Sequence, residues 1–500
     1  MNGAGMITLA ILLPLAATVL IGLLGRFPNW REGASLTTAA ALFLIVLSIA
    51  SEVTSGGRPA AHWFDVMPGL TLAFEVEPLG MLFALVASGL WIVTALYSIG
   101  YMRGNREEHQ TRFYICFAIA IGSAMGIAFA ANLFTLFIFY ELLTISTYPL
   151  VAHKETEQAK RGARTYLGIL IGTSIAFQLT AIVWTWVATG TLDFEQGGIL
   201  AGRFDDALVP ILLGLYAFGI GKAALMPFHR WLPAAMVAPT PVSALLHAVA
   251  VVKAGVFTML KVGVYVFGVD FLAQTGASDW LAWVAAASIL IASIVAMSKD
   301  NLKARLAYST VSQLSYITLG MALATSMGVA GGALHIATHA LGKITLFMCA
   351  GAIYVATHKT EISEMDGLGR VMPFTYGAFF IGALSVIGLP PFAGAWSKWY
   401  LLLAAADTGH QIMIAVLLLS SLLNVAYLIP IVARGFFLPT GDRAIHALSA
   451  AAATPKGRLQ EAPLLCVLPP CLTAAGTVIL FFYAGEIIDL IAPITKGVAP

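Results

Sequence analysis

Glu141, Lys222, Lys253, His335, His339, Lys343 and Lys398 are ionisable residues set in stretches that are otherwise apolar. A charge at bilayer depth costs somewhere between ~2.5 and more than ~10 kcal/mol, so such side chains face partners or water. One acid with a run of bases suits proton transfer. Lysine, unlike arginine, can release its proton inside a protein, and imidazole passes one between its two nitrogens. Sodium or potassium would want clustered carboxylates and carbonyls, whereas Glu141 is the one acid expected in mid-span.

Glu141 lies within the run from Asn132 to Val151, far from either end. On a helix Thr144 and Tyr148 fall within ~60° of it, giving a polar stripe. Two readings are open: a protonated carboxyl that only holds helices together, or a carboxylate that pairs with a lysine, Lys222 first, and opens and closes as protons pass. Lys222 follows Gly219-Ile220-Gly221, but the phosphate-loop spacing fails, because position 216 is Tyr and Ala223 follows the lysine. A lysine at the end of a half-helix, where the negative dipole end and freed carbonyls favour a cation, fits better.

Lys253 stands near the centre of its run, too deep for easy snorkelling; Lys261, near a helix end, is expected to snorkel to the interface. His335, His339 and Lys343 are spaced i, i+4, i+8 and stack along one helix face at ~6 Å intervals, a relay geometry. For His335 a helix-bridging hydrogen bond is the alternative. Metal binding by the histidine pair lacks a carboxylate or thiol at ligand spacing. His247, six residues before Lys253, falls on a different face. Lys398, beside Trp396 and Trp399, is read either as the end of the relay or as an interfacial lysine among belt tryptophans.

Membrane helices must carry these residues. Apolar types make up 59% of the 500 residues and charged types 10%. The mean hydropathy is +0.88. Too few polar side chains remain to cover a water-facing surface, which excludes a soluble enzyme, a secreted disulfide scaffold and a disordered chain. A net charge of +2 offers no basic field for nucleic acid. The four cysteines, Cys116, Cys349, Cys466 and Cys471, sit in apolar runs and never as CxxC, so they read as buried thiols. The N-terminal run from Met6 to Gly25 lacks a basic leader and is long for a signal segment, so it reads as the first span.

Fourteen spans are expected, near 6–25, 34–51, 78–100, 113–130, 132–151, 165–189, 208–226, 241–266, 279–297, 303–324, 328–356, 373–406, 411–433 and 463–492. With the N-terminus outside, 19 of the 27 basic residues fall in cytoplasmic loops, Arg443, Lys456 and Arg458 among them, and three (Arg58, Arg203 and Lys496) on the other side. The positive-inside rule therefore puts both termini on the outer side of a bacterial cytoplasmic membrane. The outer loop 52–77 reads as acidic, with Pro and Gly, and 434–462 is the most polar loop. Two spans look interrupted. Pro227, Pro233, Pro239 and Pro241 follow Lys222, and Gly388-Leu389-Pro390-Pro391 precedes Lys398. Breaks at corresponding places in two halves point to a transport site. Residues 1–500 thus form one polytopic domain, with a first repeat over 113–266 broken near 222–240 and a second over 279–433 broken near 388–398.

Five stretches together resemble a known family: NLFTLFIFYELLTISTYPL, GIGKAALMPFHRWLPAAMVAPTPVSALLHAVAVVKAG, LKARLAYSTVSQLSYITLG, HIATHALGKITLF and GLPPFAGAWSKW. The chain resembles the antiporter-like subunits shared by Mrp-type multisubunit cation/proton antiporters and respiratory complex I, its L, M and N subunits. The resemblance implies an all-α membrane fold of about 14 helices with two inverted five-helix repeats, each with a discontinuous helix. It implies a proton path through the pair Glu141 and Lys222, a central Lys253, histidines His335 and His339, and a terminal Lys398. M-like members carry a glutamate at that last position, so Lys398 points to the D-type subunits of Mrp antiporters or to L and N. L-like and A-like members carry C-terminal extensions, which favours the D type, while the Ser243-Ala-Leu-Leu-His247 run leans back toward A and L. The implied function is proton translocation in a Na⁺ or K⁺/proton antiporter, a transporter subunit rather than an enzyme. It works with other membrane subunits and the lipid bilayer, without a cofactor, nucleotide or nucleic acid. The other implied function is a proton-pumping subunit of a redox complex, either complex I-like or a membrane-bound hydrogenase.

Overall fold

The computed structural model describes residues 2–439 and 459–495. Arg443, Lys456, Arg458 and Lys496, and most of the polar loop named above, lie outside the described residues. Among the described residues, eleven helices are long and apolar enough to cross a membrane: α1 Gly3–Leu23, α2 Pro28–Thr54, α3 Pro78–Gly104, α4 Gln110–Ala128, α5 Leu133–Val151, α6 Glu157–Thr189, α8 Thr240–Phe267, α9 Asp279–Met297, α11 Ser326–Thr357, α14 Gln411–Phe437 and α15 Leu464–Phe482. The tenth expected span is α10, Leu302–Ala322, whose Ser309, Ser312, Gln313, Ser315 and Thr318 make it more polar and are all buried. The two interrupted spans begin as short apolar helices, α7 Val209–Gly219 and α12 Pro373–Ile387, and the second resumes as α13 Gly394–Asp407. A final helix, α16, covers Ala484–Thr495.

Local chemistry sets these boundaries. The side chains of Asn132, Asn301 and Thr325 accept from Thr135, Ala304 and Gly328 amides and start α5, α10 and α11. Gly388, at φ 93°, ends α12 in the left-handed conformation that only a residue without Cβ takes cheaply. The apolar window of α8 is wholly buried, whereas those of α1, α6 and α14 are 33–39% buried. The helix carrying Lys253 is therefore the axle of the bundle. Exposed Leu44, Val187, Leu418 and Leu422 form the outer face, as expected where acyl chains are the solvent.

Three expectations change in detail. The loop 52–77 contains an antiparallel hairpin, β1 Ala60–Met67 with β2 Leu70–Glu75, whose Trp63 and Phe74 pack on each other and on Phe139 of α5. The last expected span, 463–492, is divided at Tyr483, and its second half carries exposed Glu486 and Asp489. Helix α2 starts at Pro28 rather than 34, and its first turns hold buried Arg31 and Glu32: Arg103 of α3 pairs with Glu32, and Arg31 donates to Gln110 and Thr111.

Candidate functional site

At the first break, α7 stops at Gly219 and a single tight turn over Gly221–Ala223 presents Lys222, which is fully buried. Its Nζ donates to the Tyr140 carbonyl at 2.8 Å and to Thr144 Oγ1 at 2.6 Å, and lies 3.2 Å from the Tyr140 ring centroid. Trp231 Nε1 donates to the Gly221 carbonyl freed by the break. The close approach depends on Gly255 of α8, where a Cβ would come within 2.3 Å of Lys222 backbone carbon. Glu141 is half-buried and close enough to act electrostatically on Lys222, yet its two oxygens have no hydrogen-bond partner among the described residues. The expected Glu141–Lys222 pair is thus a neighbourhood, not a bond. Tyr140 and Thr144 share one face of α5, and Glu141 lies ~100° round the helix from Tyr140.

The second cluster is continuous. Lys253 Nζ is 2.6 Å from His339 Nδ1. The rings of His339 and His335 stack with centroids 5.6 Å apart, and Tyr316 of α10 also stacks with His335, at 5.5 Å. His335 Nδ1 is 2.8 Å from Ser397 Oγ, on the residue before Lys398. Lys398 Nζ lies 5.0 Å from the Tyr316 ring centroid and donates to the Ile387 carbonyl at 2.8 Å and to Ser421 Oγ at 3.0 Å. Ile387 is the last residue of α12, so Lys398, on α13, caps the negative end of the half-helix that precedes the break. The same capping, expected of Lys222 at α7, does not occur: Lys222 crosses to α5 instead.

Lys343 departs from the row. Although i+4 from His339, its Nζ donates to Ser309 Oγ at 2.6 Å, and Ser309 is bonded in turn to Tyr427, which donates to Asn424. Lys261 does not snorkel. It is fully buried in an ion pair with Glu77, 3.2 Å apart, because α8 ends inside the bundle rather than at lipid. Residues that the sequence did not single out are Tyr140, Tyr316, Ser397 and Ser421. The i, i+3, i+4 spacing of Ser312, Ser315 and Tyr316 marks the face of α10 that supplies one of them. His247 is also fully buried, its ring 4.4 Å from Phe347, on a π-helical turn over Leu245–Val249. All four cysteines are free thiols, and among the described residues no three His, Cys, Asp or Glu side chains cluster to hold a metal.

Near Lys398 the bundle opens sideways into a cavity of about 570 Å³, with apolar walls that include Leu389, Trp399, Leu418 and Leu422. At one end of the bundle, outside the spans, His153 is held down to about 4 by burial and by Arg112 nearby, while the Arg112 guanidinium keeps the Glu155 carboxyl below its ordinary range.

Residues 130–424 match the family described as NADH:quinone oxidoreductase/Mrp antiporter, TM, and residues 63–114 match NADH-Ubiquinone oxidoreductase (complex I), chain 5 N-terminus. The chain is 32% identical to an NADH-quinone oxidoreductase subunit N of Desulforudis audaxviator, over 96% of both chains. It is 29% identical to a Na(+)/H(+) antiporter subunit A1 of Staphylococcus haemolyticus, covering 98% of this chain and 63% of that one. In fold it is similar to a chain of the Mrp complex from a Dietzia species, with a TM-score of 0.85, 21% identity and coverage of 99% and 97%. The two broken helices with their buried lysines therefore sit in a recognised membrane fold, and the chain belongs to the NADH:quinone oxidoreductase/Mrp antiporter family of membrane subunits.

Proposed function

We propose that this chain is the proton-translocating subunit of a multisubunit monovalent cation/proton antiporter, working in a bacterial cytoplasmic membrane with both termini on the outer side. The observation that carries the reading is the row Lys253, His339, His335, Ser397, Lys398, in which each group is bonded to, stacked on or adjacent in sequence to the next. Protons exchanged along it enter a region that already holds Glu141 and Lys222, and Lys343 is a side branch that biases the row by its charge. Seats of this kind bind protons on nitrogen and offer no oxygen cage for a metal cation. The driving Na⁺ or K⁺ then uses other subunits. A lysine at 398 supports a D-type rather than an M-type chain, and the broken helices near 222–240 and 388–398 support two repeats over 113–266 and 279–433.

A redox-driven complex is the second reading, favoured by the 32% identity with a quinone oxidoreductase subunit over nearly the whole chain. Both readings share the residues and differ in the driving subunits. A mild-detergent pull-down with mass spectrometry separates them. Small hydrophobic partners without flavin or iron support the antiporter, and cation-driven proton movement in vesicles that Lys222→Ala abolishes completes the test. Iron–sulfur or flavin partners move the chain to the second reading.

A further inference from the structure

Glu77 and Lys261 lie outside the row of bases, yet they form a completely enclosed ion pair, their side chains 6% and 0% exposed. Four parts of the chain build it. Glu77 precedes α3 and caps it, accepting from the Leu79 amide at 2.6 Å and the Gly80 amide at 2.8 Å. Its Oε2 also accepts from Tyr265 OH at 2.9 Å, on the last turn of α8. Lys261 Nζ, 3.2 Å from Glu77 Oε1, donates in addition to the Ala130 carbonyl at 2.9 Å and lies 4.6 Å from the Phe194 ring centroid. Ala130 belongs to the turn from which α5 starts. The hairpin holds that turn from the other side, through Glu75 N to Phe129 O at 2.8 Å and Ala131 N to Ala73 O at 3.0 Å. The remaining ionisable groups that face the pair are Glu75, which acts on Lys261, and Arg58, which pairs with Glu75 at 3.5 Å.

A buried pair adds little stability over apolar side chains of the same shape, but loss of one partner strands the other, and register is the best-attested use of such pairs. Here the register is functional. Lys261 lies eight residues beyond Lys253 on α8, an axial distance of ~12 Å. Ala130 lies just before the helix that carries Glu141 and seats Lys222. We infer that Glu77 and Lys261 are positioning residues: a clamp that fixes the height of α8 against α3 and α5, and with it the level at which Lys253 of α8 meets His339 of α11. The clamp is a fixed ion pair and carries no proton itself. This inference rests on the proton-transfer reading above.

Two measurements on the assembled complex test it: proton movement in vesicles, and hydrogen exchange of the backbone followed by mass spectrometry. Lys261→Met should lower transport by roughly 10- to 100-fold, the size expected when reacting groups shift by about 1 Å. It should also speed exchange at residues 129–135 and 258–267 while leaving α15 unchanged. Lys261→Arg keeps the charge and should restore transport to within about threefold, since a guanidinium fills a fixed pairing role but not a proton-carrying one. Glu77→Gln, which retains the shape and the Tyr265 contact, should act in the same direction if Lys261→Met does not insert. Wild-type transport in Lys261→Met or Glu77→Gln overturns the clamp. So does an Arg variant as inactive as the Met variant, which would make Lys261 a proton carrier. If Lys222→Ala transports normally, the proton-transfer reading fails instead, and the clamp is then judged by exchange alone: unchanged protection in Lys261→Met refutes it.

Discussion

The two broken helices use the same sequence device and reach different electrostatic solutions. At the second break, Lys398 on α13 turns back across the break onto the carbonyl end of α12 and finishes its hydrogen bonding on Ser421. Among the described residues no carboxylate is ion-paired with it, and a lipid-side cavity opens beside it. At the first break, Lys222 leaves its half-helix and lies across α5, on the Tyr140 carbonyl and ring and on Thr144, with Glu141 nearby but unbonded. One cation is stabilised by a fixed dipole. The other is stabilised by groups on a neighbouring helix, the Tyr140 carbonyl and ring and the Thr144 hydroxyl. Under the proton-transfer reading proposed above, the first arrangement would suit a terminus and the second a switch.

Loss of Lys222 should have the largest effect. Lys222→Ala or Glu141→Ala should reduce proton movement by ~10²-fold or more, within the range usual for a positioned acid–base group. The protein should still reach the membrane, as a trypsin-protection and immunoblot assay would establish. Lys253→Arg should come close behind, because arginine holds its proton in proteins; working exchange by this variant would argue for a fixed charge at the centre of the row.

Sharpening the contrast between the breaks requires their glycines. A Cβ at Gly255 meets Lys222 backbone carbon at 2.3 Å, and one at Gly394 meets the Ser385 carbonyl oxygen at 1.8 Å. Overpacking of this kind costs ~1–3 kcal/mol, so Gly255→Ala and Gly394→Ala should both lower the melting temperature. Gly255→Ala should weaken transport through Lys222 and Gly394→Ala through Lys398, resolved by combining each with Lys222→Ala. Gly255→Ala should be non-additive with Lys222→Ala and Gly394→Ala additive with it; if both pairings are non-additive, the two breaks do not act as separate sites.

Ser397→Ala removes the hydroxyl between His335 and the Lys398 segment. The loss of one net hydrogen bond, ~0.5–1.5 kcal/mol, corresponds to a drop of about 2- to 12-fold in rate. The smallest effect is expected far from either break. His153 is held neutral, down to about 4, while the unfolded chain binds its proton near ~6.5. The unfolded state then takes up more protons as pH falls, so stability from this group is full above ~6.5 and is lost progressively as pH drops towards 4. His153→Phe should flatten that acid limb in a thermal melt followed against pH.

Much of this architecture is legible from local rules. Apolar run lengths place fourteen helical units, Pro227 to Pro241 and Gly388 to Pro391 locate both breaks, and the i, i+4 spacing of His335 and His339 puts their rings on one face, where they stack. Backbone sterics and periodicity act within a few residues, so these features need no partner to be read. The hairpin at 60–75 is harder to see, since a short strand pair is stable only against something, here Phe139.

What each charge touches is decided by tertiary structure alone. Spacing puts Lys343 in line with His339, but Ser309, far away in sequence, takes its ammonium. Lys261 lies near a helix end, as a snorkelling lysine should, but α8 is surrounded by other helices and Glu77 is folded against it. Sequence alone identifies which residues a bilayer could not tolerate unpaired. The partners that make them tolerable come from helices tens to hundreds of residues away, because hydrogen bonds and ion pairs form through space and a one-dimensional pattern records no distances.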